Sequence, residues 1–412
     1  MNTMRSSEKS RTSKSERSLA RHGCASGDAV RRRGLLTLVV MGITVLACHD
    51  RAPTTSSLTP PDESTAIDEA EIPSSTIVAP ALIWTMTYDG SGELVHPDAT
   101  VFPEGWHGRR YWVSGTPYPA GNPKYENPSI YQGYKAGQMM QPEGVNNPLV
   151  RPVPGGYLSD PDLLYDPDRD ELRMYYRQTL DSSDQISMMT SADGVHWSAP
   201  QPVLAGARYG IISPAIVRES VSSWRMWSVS AVAQGCYSLR SEMELQQRHS
   251  TDGVTWSDPE PVTMRVPGRV AWHWDVQYVR AKQEYWALVA AYPEGTTCSG
   301  TAVFFARSAD GTTWSVAPTP LLGPGQFAPM NDLVYRSSFH YHEASDAVSV
   351  WFSGAHIGDG GFHFSTASAR YPYPELIRRV NAPSATIIQR QTVGRVTEEL
   401  RAARSSFEND FP

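Results

Sequence analysis

At 412 residues, 40% hydrophobic and 19% charged, the chain is long and apolar enough to bury a large core. Its 31 Gly, 32 Pro, 12 Trp and 19 Tyr describe a turn-rich, aromatic sequence, which favours β architecture over a helical bundle or coiled coil. The net charge of −7 is uneven: residues 1–33 carry +6 and the rest carries −13. That acidic body excludes nucleic-acid binding through the phosphate backbone.

The chain opens with a basic, Ser-rich stretch closing on Arg31-Arg32-Arg33, followed by the apolar run Leu35 to Ala47. The run is too short to cross a bilayer comfortably but has the length of a signal-peptide core. Val45-Leu46-Ala47-Cys48 resembles a bacterial lipobox. The resemblance implies that 1–47 are removed, that Cys48 is lipidated, and that the protein is exported and anchored in the bacterial envelope by lipid alone. An ordinary secretory signal is the alternative. Residues 48–80 are acidic and rich in Ser, Thr and Pro, and are expected to form a disordered tether. With Cys24 in the leader and Cys48 lipidated, Cys236 and Cys298 remain, and an oxidising compartment favours their pairing over two buried thiols.

The body repeats. Ser191-Ala192-Asp193-Gly194-Val195-His196-Trp197, Ser250-Thr251-Asp252-Gly253-Val254-Thr255-Trp256 and Ser308-Ala309-Asp310-Gly311-Thr312-Thr313-Trp314 share the pattern S-x-D-G-x-x-W, with Asp spacings of 59 and 58. Asp-Gly supplies a turn with a positive-φ position, the Ser and Asp side chains satisfy its amides, and the Trp packs back. A second element opens each unit: His96-Pro97-Asp98, Ser159-Asp160-Pro161-Asp162, Ser213-Pro214-Ala215, His273-Trp274-Asp275 and Tyr335-Arg336-Ser337-Ser338, each leading into a short apolar strand. Aromatic second strands follow, such as LRMYYRQ and EYWALVAAY. Five such units between 81 and 372 predict an all-β, five-bladed β-propeller, with inner-strand starts meeting at the axis on one face. Residues 373–412 are predicted to form a C-terminal extension, helical or disordered, with helical spacing over Val393 to Phe407.

This arrangement resembles the furanosidase-type propeller glycoside hydrolases, among them arabinanases and β-xylosidases and, more distantly, invertases and levansucrases. The resemblance implies glycosidic hydrolysis by three carboxylates on the first three blades. Asp98 matches the first as base or nucleophile, and Asp160 or Asp162 the second, which orients the sugar and tunes the acid. The third blade opens Ser213-Pro214-Ala215 and lacks the Glu acid; Glu126, Asp275 or Glu294 would have to replace it. The loop over 116–128 returns to the face where inner strands begin and carries Tyr118, Glu126 and Asn127, residue types that bind sugars. The matching loops of the third and fourth units hold Cys236 and Cys298, which brings the two sulfurs to one face.

His96 and His273 are read as substrate contacts or axial hydrogen-bonding groups, and no residue is assigned to a metal. No cofactor is required, although a calcium or sodium ion in the polar channel is compatible with carboxylate and carbonyl donors. Arg336 is the charge partner of the axial carboxylates or a substrate ligand. For Asp98, Asp160, Asp162 and Asp275 the structural alternative is the capping of inner-strand amides. The sequence has no phosphate loop, zinc spacing or G-x-S-x-G elbow. The expected function is therefore a monomeric glycoside hydrolase acting on an oligo- or polysaccharide. The alternatives are a non-catalytic glycan-binding propeller and a cell-envelope interaction module.

Overall fold

A computed structural model describes residues 73, 75–231, 236 and 238–382. The leader, Cys48, most of the tether and the 393–407 stretch lie outside the described residues. Five antiparallel sheets form the blades. The first comprises β2 (Leu94–Trp106), β3 (Arg109–Pro117) and β4 (Ser129–Gly133). The second comprises β5 (Tyr157–Asp166), β6 (Glu171–Thr179), β7 (Ser183–Ser191) and β8 (Gln201–Ala207). Blade three holds β9 (Ile212–Ser220), β10 (Ser223–Ser230), β11 (Glu244–Ser250) and β12 (Glu260–Pro261). Blade four holds β13 (Arg269–Val279), β14 (Glu284–Pro293), β15 (Ala302–Ser308) and β16 (Ser315–Val316). Blade five joins β17 (Leu333–His342), β18 (Ala347–Gly358) and β19 (Gly361–Pro372) to β1 (Val78–Ile83), the first strand of the chain. Pairing β1 with β19 closes the ring with the two ends of the domain, so the first blade is left with three strands.

Each innermost strand packs on the next, β2 on β5, β5 on β9, β9 on β13, β13 on β17 and β17 back on β2. A separate apolar layer fills every seam between blades. Trp112, Leu163 and Met174 fill the first, and Trp227, Trp274 and Trp314 the third. The S-x-D-G-x-x-W turns clasp these seams from outside. In each, the Ser hydroxyl accepts the Gly amide (2.8–2.9 Å) and the Asp Oδ1 accepts the next two amides (2.7–2.8 Å). The three glycines share φ +74°, and a Cβ on Gly194 would stand 2.1 Å from the Trp112 ring of the preceding blade. Only glycine satisfies both the turn and the approach. These repeats build the ring and leave the chemistry to its centre. The short helix α1 (Tyr373–Val380) follows β19, stacks Tyr373 on Trp286 and buries Leu376 between blades four and five.

Two levels of side chains line the axis. At the lower level, Asp98 Oδ2 accepts the Leu163 amide, Asp162 Oδ2 the Ile216 amide (3.1 Å), Asp275 Oδ2 the Phe339 amide (3.2 Å) and Ser338 Oγ the Ala99 amide (3.1 Å). Each bond ties one inner strand to the next blade. Ala215 holds the equivalent place on the third blade. Above this level the inner strands bulge: the ladder skips between Val95 and Asp98, between Ser159 and Asp162, and between Ala271 and His273. His96, Asp160 and Ser213 sit there at φ +54°, +51° and +51°. Non-glycine residues hold that conformation at a cost of about 1–3 kcal/mol each, and bulges of this kind re-aim side chains at functional sites. A proline follows each of the three, where its missing N–H costs no ladder bond.

Candidate functional site

The bulges bring His96 from blade one, Asp160 from blade two and His273 from blade four to one point on the axis. Asp160 Oδ1 lies 3.4 Å from His96 Nε2 and 3.3 Å from His273 Nδ1. All three side chains are buried, and each of these atoms lacks a hydrogen-bond partner. The opposite atom of each group is held. His96 Nδ1 is bonded to Thr116 Oγ1 and His273 Nε2 to the Tyr335 hydroxyl, both at 3.0 Å. Asp160 Oδ2 lies 3.0 Å from Arg177 Nε and accepts the Ser159 hydroxyl (3.2 Å) and the Ser213 amide (3.4 Å). The arrangement therefore turns one ring nitrogen of each histidine and one carboxylate oxygen toward a common point.

Protonation follows from these surroundings. Burial pulls His96 down to about 3, against the pull of Asp160 and with the help of Arg336 and Arg177. His273 is also lowered well below the ordinary imidazole value, chiefly by burial. Burial by itself would raise Asp160, but Arg177, His273, His96 and Arg336 outweigh it and hold the carboxylate well below its usual range. Two neutral imidazoles and one carboxylate are the donor set that a divalent transition metal takes. Metal–ligand bonds of about 2.0–2.1 Å in tetrahedral geometry would separate donors by roughly 3.4 Å, close to the spacing found here. The residues fit such an ion, and Thr116, Tyr335 and Arg177 are the outer partners that orient its ligands.

Glu126 completes the upper level. It ends the short helical turn Pro123–Tyr125 of the first-blade loop, is buried, and places Oε1 3.7 Å from His96 Nδ1. Burial, and then the Asp160 charge, raise its pKa well above the ordinary value, and Arg177 opposes them only in part. Glu126 is thus held as a neutral acid beside an ionised Asp160. Arg336 lies 3.6 Å from Asp160 and is fully enclosed between the two levels.

The other residues singled out in the sequence fall elsewhere. Asp98, Asp162 and Asp275 converge within 4.8 Å of one another at the lower level, each engaged with a neighbouring blade's amide. They roof a cavity of about 180 Å³ on the opposite side of the axis from the histidines. Glu294 is half-exposed and paired with Arg240 at 3.0 Å. Tyr118 packs on Phe364 at 5.2 Å, and Asn127 donates to the Tyr88 hydroxyl at 2.6 Å. Cys236 and Cys298 form a disulfide between the upper loops of blades three and four, with Cα atoms 5.5 Å apart. From sequence alone no role falls to Thr116, Arg177 or Tyr335, although Thr116 opens the first-blade loop and Tyr335 the fifth inner-strand motif. Arg177 leaves one signal, the second of two cations in the strand LRMYYRQ, paired in register with Ser159 beside Asp160.

Burial raises Asp98 to about 6, with Arg336 and the Leu163 and Ala99 amides opposing. A carboxyl that binds its proton more tightly when folded gives stability that is complete below about pH 4 and is lost as pH rises to about 6. Two pKa units correspond to about 3 kcal/mol. Asp98→Asn retains an acceptor for the Leu163 amide. Urea titrations should show the wild type weakening across that interval and the variant weakening less, with activity retained. A loss of all activity in Asp98→Asn would return Asp98 to the chemistry.

Comparison with known proteins places the fold. No protein-family profile matches the chain. Over 313 residues it is 28% identical to an A type blood N-acetyl-α-D-galactosamine deacetylase of Flavonifractor plautii. That match takes in 63% of this chain and only 40% of the relative's length. The crystal structure of an N-acetylgalactosamine deacetylase from F. plautii, in complex with blood group B trisaccharide, superimposes with a TM-score of 0.67. The identity there is 24%, over 73% of this chain and 97% of that one. The catalytic domain of an α-L-arabinofuranosidase from Coprinopsis cinerea reaches 0.50 at 11% identity, over 73% and 98% of the two chains. The structural likeness is one of fold. The five-bladed propeller is shared with glycoside hydrolases and with a deacetylase alike, and the site must decide between their chemistries.

Proposed function

We propose that the protein is a carbohydrate-active hydrolase that removes the acetyl group from an N-acetylated amino sugar of a glycan. The observation that carries this reading is the convergence of His96 Nε2, Asp160 Oδ1 and His273 Nδ1, three oriented atoms without a hydrogen-bond partner, beside the neutral acid Glu126. The F. plautii relative, a deacetylase by name, supports the choice of substrate. A divalent metal held by the three donors would polarise the acyl oxygen and ease deprotonation of water. Water adds to the acyl carbon, the C–N bond breaks, and the products are acetate and the free amino sugar. Glu126, once it has lost its own proton, takes one from water and delivers it to the departing nitrogen. Thr116 and Tyr335 keep the imidazoles turned to the axis, and Arg177 keeps Asp160 ionised.

Glycosidic hydrolysis, the first expectation from the sequence, is the second reading. It is favoured by one observation, that a protonated Glu126 and an ionised Asp160 both stand beside His96, since glycosidases need two carboxyls in opposite states. Product analysis separates the two. Incubation with a trisaccharide ending in N-acetylgalactosamine should release acetate and leave every glycosidic bond intact, and a strong chelator should stop the release. New reducing ends without acetate would replace the first reading with the second, and absence of both products would refute hydrolysis of this substrate.

A further inference from the structure

Glu126 has its place set by its backbone. Among the described residues no hydrogen bond reaches its carboxyl, which stands 3.7 Å from His96 Nδ1. A side chain held in this way stays at the cluster only if the loop that carries it stays put. Within the loop, Asn122 Oδ1 accepts the Lys124 amide and the Glu126 amide donates to the Pro123 carbonyl, both at 3.1 Å. Those bonds give the loop its shape. They do not fasten it to the rest of the domain.

Glu93 and Tyr88, outside the loop, do. At the loop's start, the Glu93 carbonyl accepts the Tyr118 amide (2.8 Å) and Glu93 Oε2 accepts the Ala120 amide (3.2 Å). At its end stands Tyr88, from the turn between β1 and β2. The Tyr88 hydroxyl donates to the Tyr125 carbonyl at 3.0 Å and accepts Asn127 Nδ2 at 2.6 Å. One oxygen therefore grips both the residue before Glu126 and the residue after it. Asn127 is buried, and the Arg151 guanidinium stands 5.3 Å over the Tyr88 ring. Burial raises the phenol above its ordinary pKa, against the opposing pull of Asn127 and Arg151, so the hydroxyl keeps the proton that it donates.

We propose that Tyr88 is a positioning residue that keeps Glu126 at the cluster for proton transfer. The inference rests on the deacetylation reading, in which Glu126 carries the proton. A carboxyl that must face first the water and then the departing nitrogen works only within hydrogen-bond reach of both. A displacement of about 1 Å can cost about 10²-fold in rate. Tyr88 acts through the backbone of Tyr125 and the side chain of Asn127, not by contact with the reacting atoms.

Tyr88→Phe keeps the ring under Arg151 and removes the one oxygen. Acetate release from the N-acetylgalactosamine trisaccharide should show kcat about 10–100-fold lower, with KM and the calorimetric affinity for Mn²⁺ alone near wild-type values. Added to Glu126→Gln, the same substitution should lower the residual rate no further, because the two residues act as one unit. An unchanged kcat in the single variant would overturn the proposal. So would an equal loss in both backgrounds, the sign of a general effect on the loop. Amide hydrogen exchange reads the tie without turnover: peptides over 119–128 should exchange several-fold faster in Tyr88→Phe and those of the other blades should not. Unchanged protection of that loop would also overturn the proposal. A wild type that releases no acetate would instead remove the deacetylation reading, a result seen before either substitution is made.

Discussion

Asp160→Asn should abolish acetate release and weaken divalent-cation binding by at least about 100-fold, while also destabilising the fold. The reason lies in how the two carboxylate oxygens are divided. Oδ2 is spent on Arg177, Ser159 and Ser213, and Oδ1 faces the two imidazoles with Arg336 Nη1 at 3.6 Å. An asparagine can keep its oxygen toward Arg177, but its NH₂ then occupies the axial point and offers no lone pair. The reverse rotamer sets an N–H donor against the Arg177 guanidinium. Either way Arg177, buried and otherwise 3.8 Å from Asp184, loses the carboxylate that balances it. Breaking a buried pair from one side costs about 3–5 kcal/mol. The pH dependence carries a sign that can be checked. A carboxylate held below its unfolded pKa gives stability that is present above about pH 4 and lost as pH falls further. The gap between wild type and Asp160→Asn in chemical denaturation should therefore be full at pH 7 and narrow in acid. Calorimetric binding of Mn²⁺ reads the site even if the variant's stability is low. Wild-type affinity in Asp160→Asn would remove Asp160 from the donor set.

The two axial levels answer pH in opposite senses, because Asp98 below is raised and Asp160 above is lowered by their surroundings. That difference was not legible in the sequence, where both read as an Asp beside a Pro at the start of an inner strand. What was legible is the periodicity. Asp193, Asp252 and Asp310 recur with the blades, and the openings at His96, Asp160, Ser213, His273 and Arg336 mark the axis, so the propeller follows from the chain. The level of each residue does not follow. It depends on bulges at which the residue before the proline, not the one after it, swings to the upper face, and a one-residue shift in a strand exchanges its faces. His96 and Asp160 therefore share a level, with Asp98 and Asp162 beneath. The ring closure was hidden for another reason. The strand Val78–Ile83 pairs with residues close to the other end of the domain, and a repeat search along the chain does not look across that distance. Thr116 and Tyr335 were hidden because a residue that orients a histidine leaves no spacing of its own.

Glu126→Gln isolates proton transfer from structure, and its effect should be nearly as large as that of Asp160→Asn. In the free protein Glu126 is a neutral acid, held so by burial and by the Asp160 charge. Glutamine copies the size of that neutral carboxyl, so folding and cation binding should be retained. A base must first lose its proton. The wild-type kcat/KM should therefore rise with pH along an acidic limb displaced above the ordinary glutamate range, and the sign is fixed by the raised pKa. Chelation empties the site and cannot test this, whereas the loaded variant can. In Glu126→Gln the acidic limb should disappear and kcat should fall about 10²–10⁴-fold, the usual worth of a positioned acid–base group. KM should change little, because the bulk of the loop over 116–128 is unaltered. If Glu126 only shaped that loop, the glutamine variant would turn over at the wild-type rate with the same pH profile, since it reproduces the resting side chain.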